Sequence, residues 1–403
     1  MKARLALLRD PGFARVFAAR SVSAFGTGMT PVALPFAVLE DLGGSASDVG
    51  FVIAAGSGAQ ILVQLFGGAL ADRGSRKRQM VGADALAAAA QGTLAALLLG
   101  GAASLPLVVA LQVVIGVSFA LHWPAAVGLV PLVVPRERLQ PANALLSIAH
   151  STALGLGAAA GGLLAARFGA GVALAVDAGS FAASAALVAG VHAHPQQRSA
   201  AASLWRELRA GWREFTRHRW LWTIVLQFTV MMTGWFGTFA VVGPVVAQRS
   251  HGGAEAWGAI AAAFGFGLVT GGIVMLRVEF PRPMLAATLT CFGGALVPLL
   301  LVGPSPLAWI ASGAFVAGVG FEIFGVLWNT ALHTHVDPAA LSRVSAYDVV
   351  GSIALVPFGE VLAGFSVEAF GPPATLLAAA AAIVLPTALV LFVPEVRHLR
   401  NAK

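Results

Sequence analysis

Ionisable residues interrupt long apolar segments of this sequence at a few positions where they could bind protons. Asp84, Asp177 and Glu322 each stand among apolar neighbours, and His122 lies in the segment LHWP. A charged side chain at the centre of a membrane helix costs about 2.5–3.5 kcal/mol on insertion scales, so acids kept there indicate a functional role or a buried pair. Poorly hydrated surroundings also favour the uptake of a proton by a carboxylate.

Each of these residues also has a structural alternative. Glu322 could pair with Arg20 or with a neighbouring backbone group, because buried ion pairs perturb titration as functional sites do. Asp84 and Asp177 could serve helix packing. A single histidine in a membrane helix is commonly a hydrogen-bonded packing residue, which is the alternative for a proton relay at His122.

The elements that carry these side chains are predicted to be membrane helices. The chain has 403 residues, of which 58% are hydrophobic and 11% charged, whereas soluble proteins carry about 25% charged residues. A spanning helix needs about 20 apolar residues. The apolar runs predict twelve spans, with these approximate bounds: 16–39, 49–70, 79–99, 106–130, 145–166, 171–191, 221–246, 257–276, 284–302, 307–329, 349–369 and 373–393.

Basic residues predict how the spans are oriented. The predicted inner connections and ends hold 22 of them and the outer connections two, so both termini are expected in the cytoplasm. No small-residue cleavage site follows the basic N-terminal segment, which is expected to be retained. The sequence therefore predicts a multi-pass protein of the cell inner (plasma) membrane. The formal charge of +7 is spread between apolar runs, so nucleic acid is not an expected partner.

The chain is predicted to form two six-helix bundles, 1–191 and 221–403, joined by a cytoplasmic linker at 192–220. Residues 116–119 read GVSF and residues 318–321 read GVGF, a shift of 202 that is half the chain length. Such a shift indicates two parallel repeats. In the linker, apolar residues recur at helical spacing between arginines, so it could lie on the anionic inner leaflet or act as a tether.

The stretch GGALADRGSRKR, between the second and third predicted spans, combines glycines with one acid and four bases. Gly68 would let two helices approach closely. Asp72 would end a helix at the membrane surface, where it could accept hydrogen bonds from Arg76 or from the N-terminus of a neighbouring helix. With Arg73, these residues are candidates for a polar latch that gates the protein. The stretch resembles the signature loop of the major facilitator superfamily, G-x-L-A-D-R-x-G-R-K.

The resemblance extends along most of the chain, through ALPFAVL (33–39), PANALL (141–146), DAGSFAASA (177–185) and the long stretch 325–359. These segments are similar to the branch rich in actinobacterial multidrug and siderophore exporters. Two motifs depart from that branch. The first span has Gly26-Thr27 where Gly-Asp is usual, and the fifth keeps three glycines of G-x-x-x-G-P-x-x-G-G, at 157, 161 and 162, but lacks the proline.

The resemblance implies an all-α membrane fold of twelve transmembrane helices in two six-helix parallel repeats. It further implies that spans 1, 4, 7 and 10 line a central cavity, which places Glu322 and His122 nearest the transport path. Aromatic, methionine and amide side chains on those spans are candidates for a pocket that suits lipophilic ligands. These residues are Phe25, Met29, Gln227, Met231, Trp235, Trp328 and Asn329.

Together these features predict a secondary transporter that exports lipophilic or amphipathic small molecules in exchange for protons. We expect no enzymatic activity, because no nucleophilic constellation stands out, and no direct use of ATP, because the phosphate-binding G-x-x-x-x-G-K-[ST] loop is missing. We expect no cofactor or metal, taking His333, His335 and Asp337 as solvated residues at a helix end. Its expected partners are a small-molecule substrate, protons and membrane lipids, and a monomer is expected. A proton-coupled importer, a membrane enzyme or lipid scramblase, and a non-transporting receptor are the alternatives.

Overall fold

A computed structural model describes residues 6–73, 75–192, 204–337 and 340–399 of the chain. Within these ranges the regular secondary structure is entirely helical. Eleven segments are long and apolar enough to cross a membrane. The longest, Arg343–Val390, holds two of the predicted spans, because Gly371 breaks its helix with φ 82° and ψ 163°. A side chain is strained at such a φ, and glycine is not.

Helical segments correspond to the twelve predicted spans, although several begin or end some residues away from the predicted bounds, and we number them in chain order. Their bounds are Pro11–Asp41, Ala46–Arg73, Arg76–Leu99, Leu105–Leu132, Leu139–Phe168 and Ala170–Ala189 for spans 1 to 6, then Arg219–Ser250, Ala254–Met275, Pro283–Leu301, Leu307–His335, 341–370 and 372–390 for spans 7 to 12. The shorter helices outside the spans are Ala6–Arg9, Arg136–Arg138, Leu204–Arg217 and Pro394–His398.

Local sequence explains where several spans begin and where they are irregular. Span 1 starts at Pro11 because the Asp10 side chain accepts a hydrogen bond from the Phe13 amide at 2.9 Å, which caps the helix. Its last turns, Ala37–Asp41, are a π-helix that follows Pro35, and span 7 contains a second π-helix at Gly237–Val242. Such insertions are frequent at functional sites.

The chain divides into two compact units. Unit 1 comprises Met1–Ser199 and Ala247–Ala262. In it, span 3 packs against span 6, span 1 against spans 5 and 6, and span 2 against span 4. Two glycines allow these close approaches, because a Cβ at Gly116 would overlap the carbonyl oxygen of Gly56, and a Cβ at Gly157 that of Phe25.

Unit 2 comprises Ala200–Val246 and Ala263–Lys403. A Cβ at Gly318 of span 10 would overlap the carbonyl oxygen of Phe264 in span 8, and one at Gly359 of span 11 would lie 2.8 Å from that of Thr233 in span 7. Gly318 and Gly359 each follow their counterparts in unit 1, Gly116 and Gly157, by 202 residues. The glycine contacts thus recur at the shift that the sequence shows.

The helix Leu204–Arg217 of the predicted linker belongs to unit 2 and packs on span 11. The Trp212 and Phe215 rings lie 5.4 and 5.9 Å from the ring of Tyr347. Arg209 and Arg213 are exposed. The side chains of 204–208, which carry the rest of the predicted apolar face, lie outside the described part of the structure. The predicted bundle boundaries at 191, 192–220 and 221 stay a prediction.

Candidate functional site

A buried acid of span 3 joins three spans of unit 1. Asp84 Oδ1 lies 2.5 Å from His122 Nδ1 of span 4, and Asp84 Oδ2 accepts a 2.6 Å hydrogen bond from the Ser184 hydroxyl of span 6. The side chain of Asp84 is 1% exposed and that of His122 is 16% exposed. Two candidates for proton binding, 38 residues apart in sequence, therefore form one contact, with the histidine on its accessible side.

A second buried acid lies two helical turns away in the same bundle. Asp177 Oδ2 of span 6 accepts hydrogen bonds from the Thr30 hydroxyl at 2.7 Å and from the Gln91 amide at 2.9 Å, and Gln91 also donates to Thr30. The Ser180 hydroxyl lies 3.3 Å from Asp177 Oδ1. A Cβ at Gly26 would lie 2.5 Å from that same oxygen, so glycine there lets span 1 approach this acid closely.

The two acids take part in side-chain hydrogen bonds between spans 3 and 6, which run antiparallel: Ser184 donates to Asp84, and Gln91 donates to Asp177. We call these contacts the ladder. Asp84 and Gln91 are seven residues apart on span 3, and Asp177 and Ser184 are seven apart on span 6. Seven residues are close to two turns, so each pair lies on one helix face. Each span supplies one acid and one neutral partner, which satisfies both carboxylates by side chains.

Glu322 of span 10 stands in different surroundings in unit 2. Its side chain is half-buried beside two glycines of span 8, because a Cβ at Gly271 would lie 2.9 Å from Glu322 Cβ and one at Gly272 would lie 3.7 Å from Oε1. Within the described residues, no hydrogen bond or ion pair is made by this carboxylate. Glu360 of span 11 is also an acid of unit 2, and it is 2% exposed.

One polar contact of unit 2 involves an acid that the sequence pattern does not single out. Asp348, just before the predicted start of span 11, accepts a 2.8 Å hydrogen bond from the indole N–H of Trp328. Ser352, one turn later, lies 3.4 Å from its other oxygen. The i, i+4 spacing of Asp348 and Ser352 was a signal that could have found this acid.

The seven predicted pocket residues occupy several surroundings. Met29, Gln227 and Met231 are each 1% exposed, and Gln227 donates to the Thr387 hydroxyl at 3.0 Å. Phe25 is half-buried, whereas Asn329 is exposed and donates to its own helix at Gly325.

The two predicted pocket tryptophans belong to aromatic groups of unit 2. Trp235 lies 4.9 to 5.1 Å from Phe239, Phe264 and Phe321. Trp328 stacks on Phe324 at 5.9 Å in addition to its bond with Asp348. Aromatic pairs at these distances are favourable packing contacts, so the structure shows a packing role for both residues within this unit.

The predicted latch is described only in part. The backbone at Gly68, Asp72 and Arg73 is the last part of the span 2 helix, but their side chains lie outside the described part of the structure. Arg76 is described, and its guanidinium donates a 2.8 Å hydrogen bond to the carbonyl oxygen of Gly128. This bond ties the start of span 3 to the end of span 4.

The glycines of the fifth-span motif are contact positions. Gly161 faces span 1, since a Cβ there would lie 2.7 Å from the Cα of Met29. Gly162 faces the segment of span 8 that belongs to unit 1, since a Cβ there would lie 2.8 Å from the Cα of Gly258. The glycines therefore bring helices together although the motif lacks its proline.

The fold defines a multi-pass, all-α membrane protein. The chain matches the model of the Major Facilitator Superfamily over residues 16–355, and it belongs to that family. The resemblance seen in the sequence is thereby confirmed. The chain is a transporter of small molecules and not an enzyme.

One curated protein is similar to this chain in sequence, and solved structures are similar to it in fold. The chain is 26% identical to the multidrug efflux pump Tap of Mycolicibacterium fortuitum, over 97% of both chains. Its fold is similar to that of the nucleoside transporter NupG, with a TM-score of 0.70, 12% identity and coverage of 94% of this chain and 98% of that one. A POT family transporter in complex with a thioalcohol-conjugated peptide matches with a TM-score of 0.74, 12% identity and 96% coverage of each chain.

Proposed function

We propose that this transporter exports lipophilic or amphipathic small molecules and that proton entry drives the export. The observation that carries the direction is the similarity to a multidrug efflux pump over 97% of both chains. The structural neighbours match at 12% identity and support only the fold. The proposed direction of transport therefore rests on the sequence relative. The predicted orientation, with both termini in the cytoplasm, belongs to the same proposal.

Proton coupling is proposed from the chemistry of the membrane acids. A coupling group must bind a proton in one state of the cycle and release it in another, so its surroundings must permit both forms. Glu322 meets this condition best, since no donor among the described residues holds it in one form. The contact of Asp84 with His122 is the second proton-binding candidate, because His122 connects a sealed carboxylate with an accessible surface.

The test is a transport assay in inside-out membrane vesicles that carry the protein. In such vesicles an exporter moves its substrate into the lumen, and an acidic lumen supplies the outward proton flow that replaces natural proton entry. The assay uses three fluorescent compounds that differ in charge: ethidium as a cation, N-phenyl-1-naphthylamine as a neutral compound and an anilinonaphthalene sulfonate as an anion. Vesicles without the protein are the control for passive partition.

We expect at least one compound to accumulate only when the protein and the pH gradient are both present. Nigericin, which exchanges potassium for protons and collapses the pH gradient, should release the accumulated compound. Accumulation that persists without the pH gradient would contradict the proposed proton coupling. Gradient-dependent accumulation that occurs only in right-side-out vesicles would contradict export and favour an importer.

A further inference from the structure

Unit 1 contains a cluster of three side chains that belongs neither to the buried acids nor to the predicted pocket. Its members are Arg20, Trp123 and His150. The three residues come from spans 1, 4 and 5. The guanidinium carbon of Arg20 lies 5.9 Å from the centroid of the Trp123 ring, and the ring of His150 lies 6.1 Å from the Trp123 ring. His122 and Arg20 both lie within electrostatic range of His150. The packing of three helices therefore assembles the cluster.

Among the side chains that the structure describes, the positive charge of the cluster has no acidic partner. Arginine stays protonated at any pH that a cell reaches. In the described ranges no carboxylate forms an ion pair with Arg20, and its guanidinium lies over the face of Trp123. The acid that contacts His122, Asp84, already accepts from Ser184 with its other oxygen. A charge of this kind inside a span is costly unless something compensates it.

The cluster is also accessible. Trp123 is 48% exposed, and Arg20 and His150 are half-buried. Arg20 stands nine residues after Pro11, so it lies about 14 Å along the helix from the start of span 1. Charged residues at such depth face the interior of the bundle or a water-filled path and not the lipid chains. By this rule, the guanidinium and the indole face are expected on a side that a dissolved ligand reaches.

We propose that Arg20, Trp123 and His150 bind the anionic group and the adjoining flat ring of an amphipathic substrate. A carboxylate, sulfonate or phosphate accepts charge-assisted hydrogen bonds from the guanidinium, and His150 supplies a further ring nitrogen. The indole of Trp123 provides an apolar plane for an aromatic ring. This inference rests on the proposed export of amphipathic molecules and narrows their class to compounds that join an anion to an aromatic body.

The test measures binding to the purified full-length protein, without any gradient. Protein in phosphatidylcholine nanodiscs is dialysed to equilibrium against naphthalene-2-sulfonate, the neutral naphthalene-2-sulfonamide or the cationic 2-naphthylmethylammonium. Empty nanodiscs give the partition into lipid. Since hydrogen bonds to charged groups contribute about 1.5–3 kcal/mol, the sulfonate should bind about tenfold or more tightly than the sulfonamide.

Variants separate the charge from the ring. Arg20→Gln should bring sulfonate affinity down to that of the sulfonamide, Arg20→Lys should keep most of the preference, and Trp123→Leu should weaken both compounds. Arg167→Gln is the matched control, because it removes the same charge from an exposed position at the end of span 5 and should change nothing. Melting temperature and elution volume confirm that each variant is folded.

An anionic lipid head group would offer the same chemistry, so the binding is repeated in nanodiscs that contain phosphatidylglycerol. Competition by this lipid that disappears in Arg20→Gln would support the anion site and assign it to a lipid. Equal affinity for all three compounds, or a preference for the cation that survives Arg20→Gln, would overturn the site. If the wild type binds the sulfonate but no vesicle assay shows transport, the site stands and the proposed function fails. Transport with no Arg20-dependent binding would overturn the site and leave the proposed function intact.

Discussion

Two buried acids of unit 1 and Glu322 of unit 2 are held in different ways. In unit 1, Asp84 and Asp177 are buried, and side chains of two other spans lie within hydrogen-bonding distance of each carboxylate. In unit 2, Glu322 is half-buried beside glycines and has no donor among the described residues. Hydrogen bonds from other spans satisfy the oxygens of Asp84 and Asp177 and connect their helices, whereas no described donor fixes the charge state of Glu322. We therefore propose that Asp84 and Asp177 chiefly hold helices together and that proton coupling depends chiefly on Glu322.

The largest expected effect on transport follows from replacing the titratable carboxyl group of Glu322. Glu322→Gln keeps volume and polarity but cannot release a proton. It should lower gradient-driven accumulation in inside-out vesicles at least tenfold and leave substrate exchange at equal pH on both sides intact. Glu279→Gln, an exposed acid between spans 8 and 9, is the matched control and should behave as wild type. Accumulation at the wild-type level in Glu322→Gln would make Glu322 structural.

The second comparison concerns the latch, which has no acidic counterpart in unit 2. At the shift of 204 that relates Gly68 to Gly272 and Arg73 to Arg277, Asp72 corresponds to Leu276. Loss of an ionic contact that differs between two states by about 1–3 kcal/mol shifts their populations about 5–150-fold. Asp72→Asn should therefore slow transport about fivefold or more while the protein still folds and inserts. A wild-type rate at saturating substrate would deny the loop a gating role.

The equivalent glycines test whether the units are built alike. Gly116→Val and Gly318→Val each place a branched side chain against a carbonyl oxygen of the neighbouring span, so each should destabilise its unit by about 1–3 kcal/mol. The measurement is the melting temperature of the purified variants. Gly82→Val, at a glycine of span 3 with open space around it, should have little effect. A large drop in only one of the two units would break the equivalence.

The smallest effect on coupling is expected at Asp177. Asp177→Asn brings an amide group among the Thr30, Gln91 and Ser180 donors, so the protein should lose about 1–3 kcal/mol of stability. The ratio of uphill to downhill transport should stay within twofold of wild type. Thermal melting and the vesicle assay measure the two effects separately. Loss of uphill transport from a normally stable Asp177→Asn protein would move coupling into unit 1.

Much of the fold follows from the sequence, because lipid forces every span to be long, apolar and helical. Even the break between spans 11 and 12 agrees with the prediction, since Gly371 and two prolines end the apolar run. The π-helices at Ala37–Asp41 and Gly237–Val242 did not follow, because the register of backbone hydrogen bonds leaves no periodic mark among uniformly apolar residues.

The site was less predictable than the fold. Asp84, Asp177, His122 and Glu322 stand out in the sequence because charge is rare in spans, but their partners depend on contacts between distant helices. Nothing in the periodicity of span 4 shows that His122 meets Asp84, or that Trp123 meets Arg20. The seven-residue spacing of polar groups on spans 3 and 6 was the one visible signal of the ladder.

The most direct test of the central claim follows the proton itself. Proteoliposomes that contain a pH-sensitive dye receive an inward gradient of the compound identified in the vesicle assay, at equal starting pH. Wild type and Asp177→Asn should raise the internal pH as the compound enters, because protons leave in exchange. Glu322→Gln should take up the compound with no pH change. A pH rise of wild-type size in Glu322→Gln, or its loss in a folded and active Asp177→Asn protein, would contradict the assignment of coupling to unit 2.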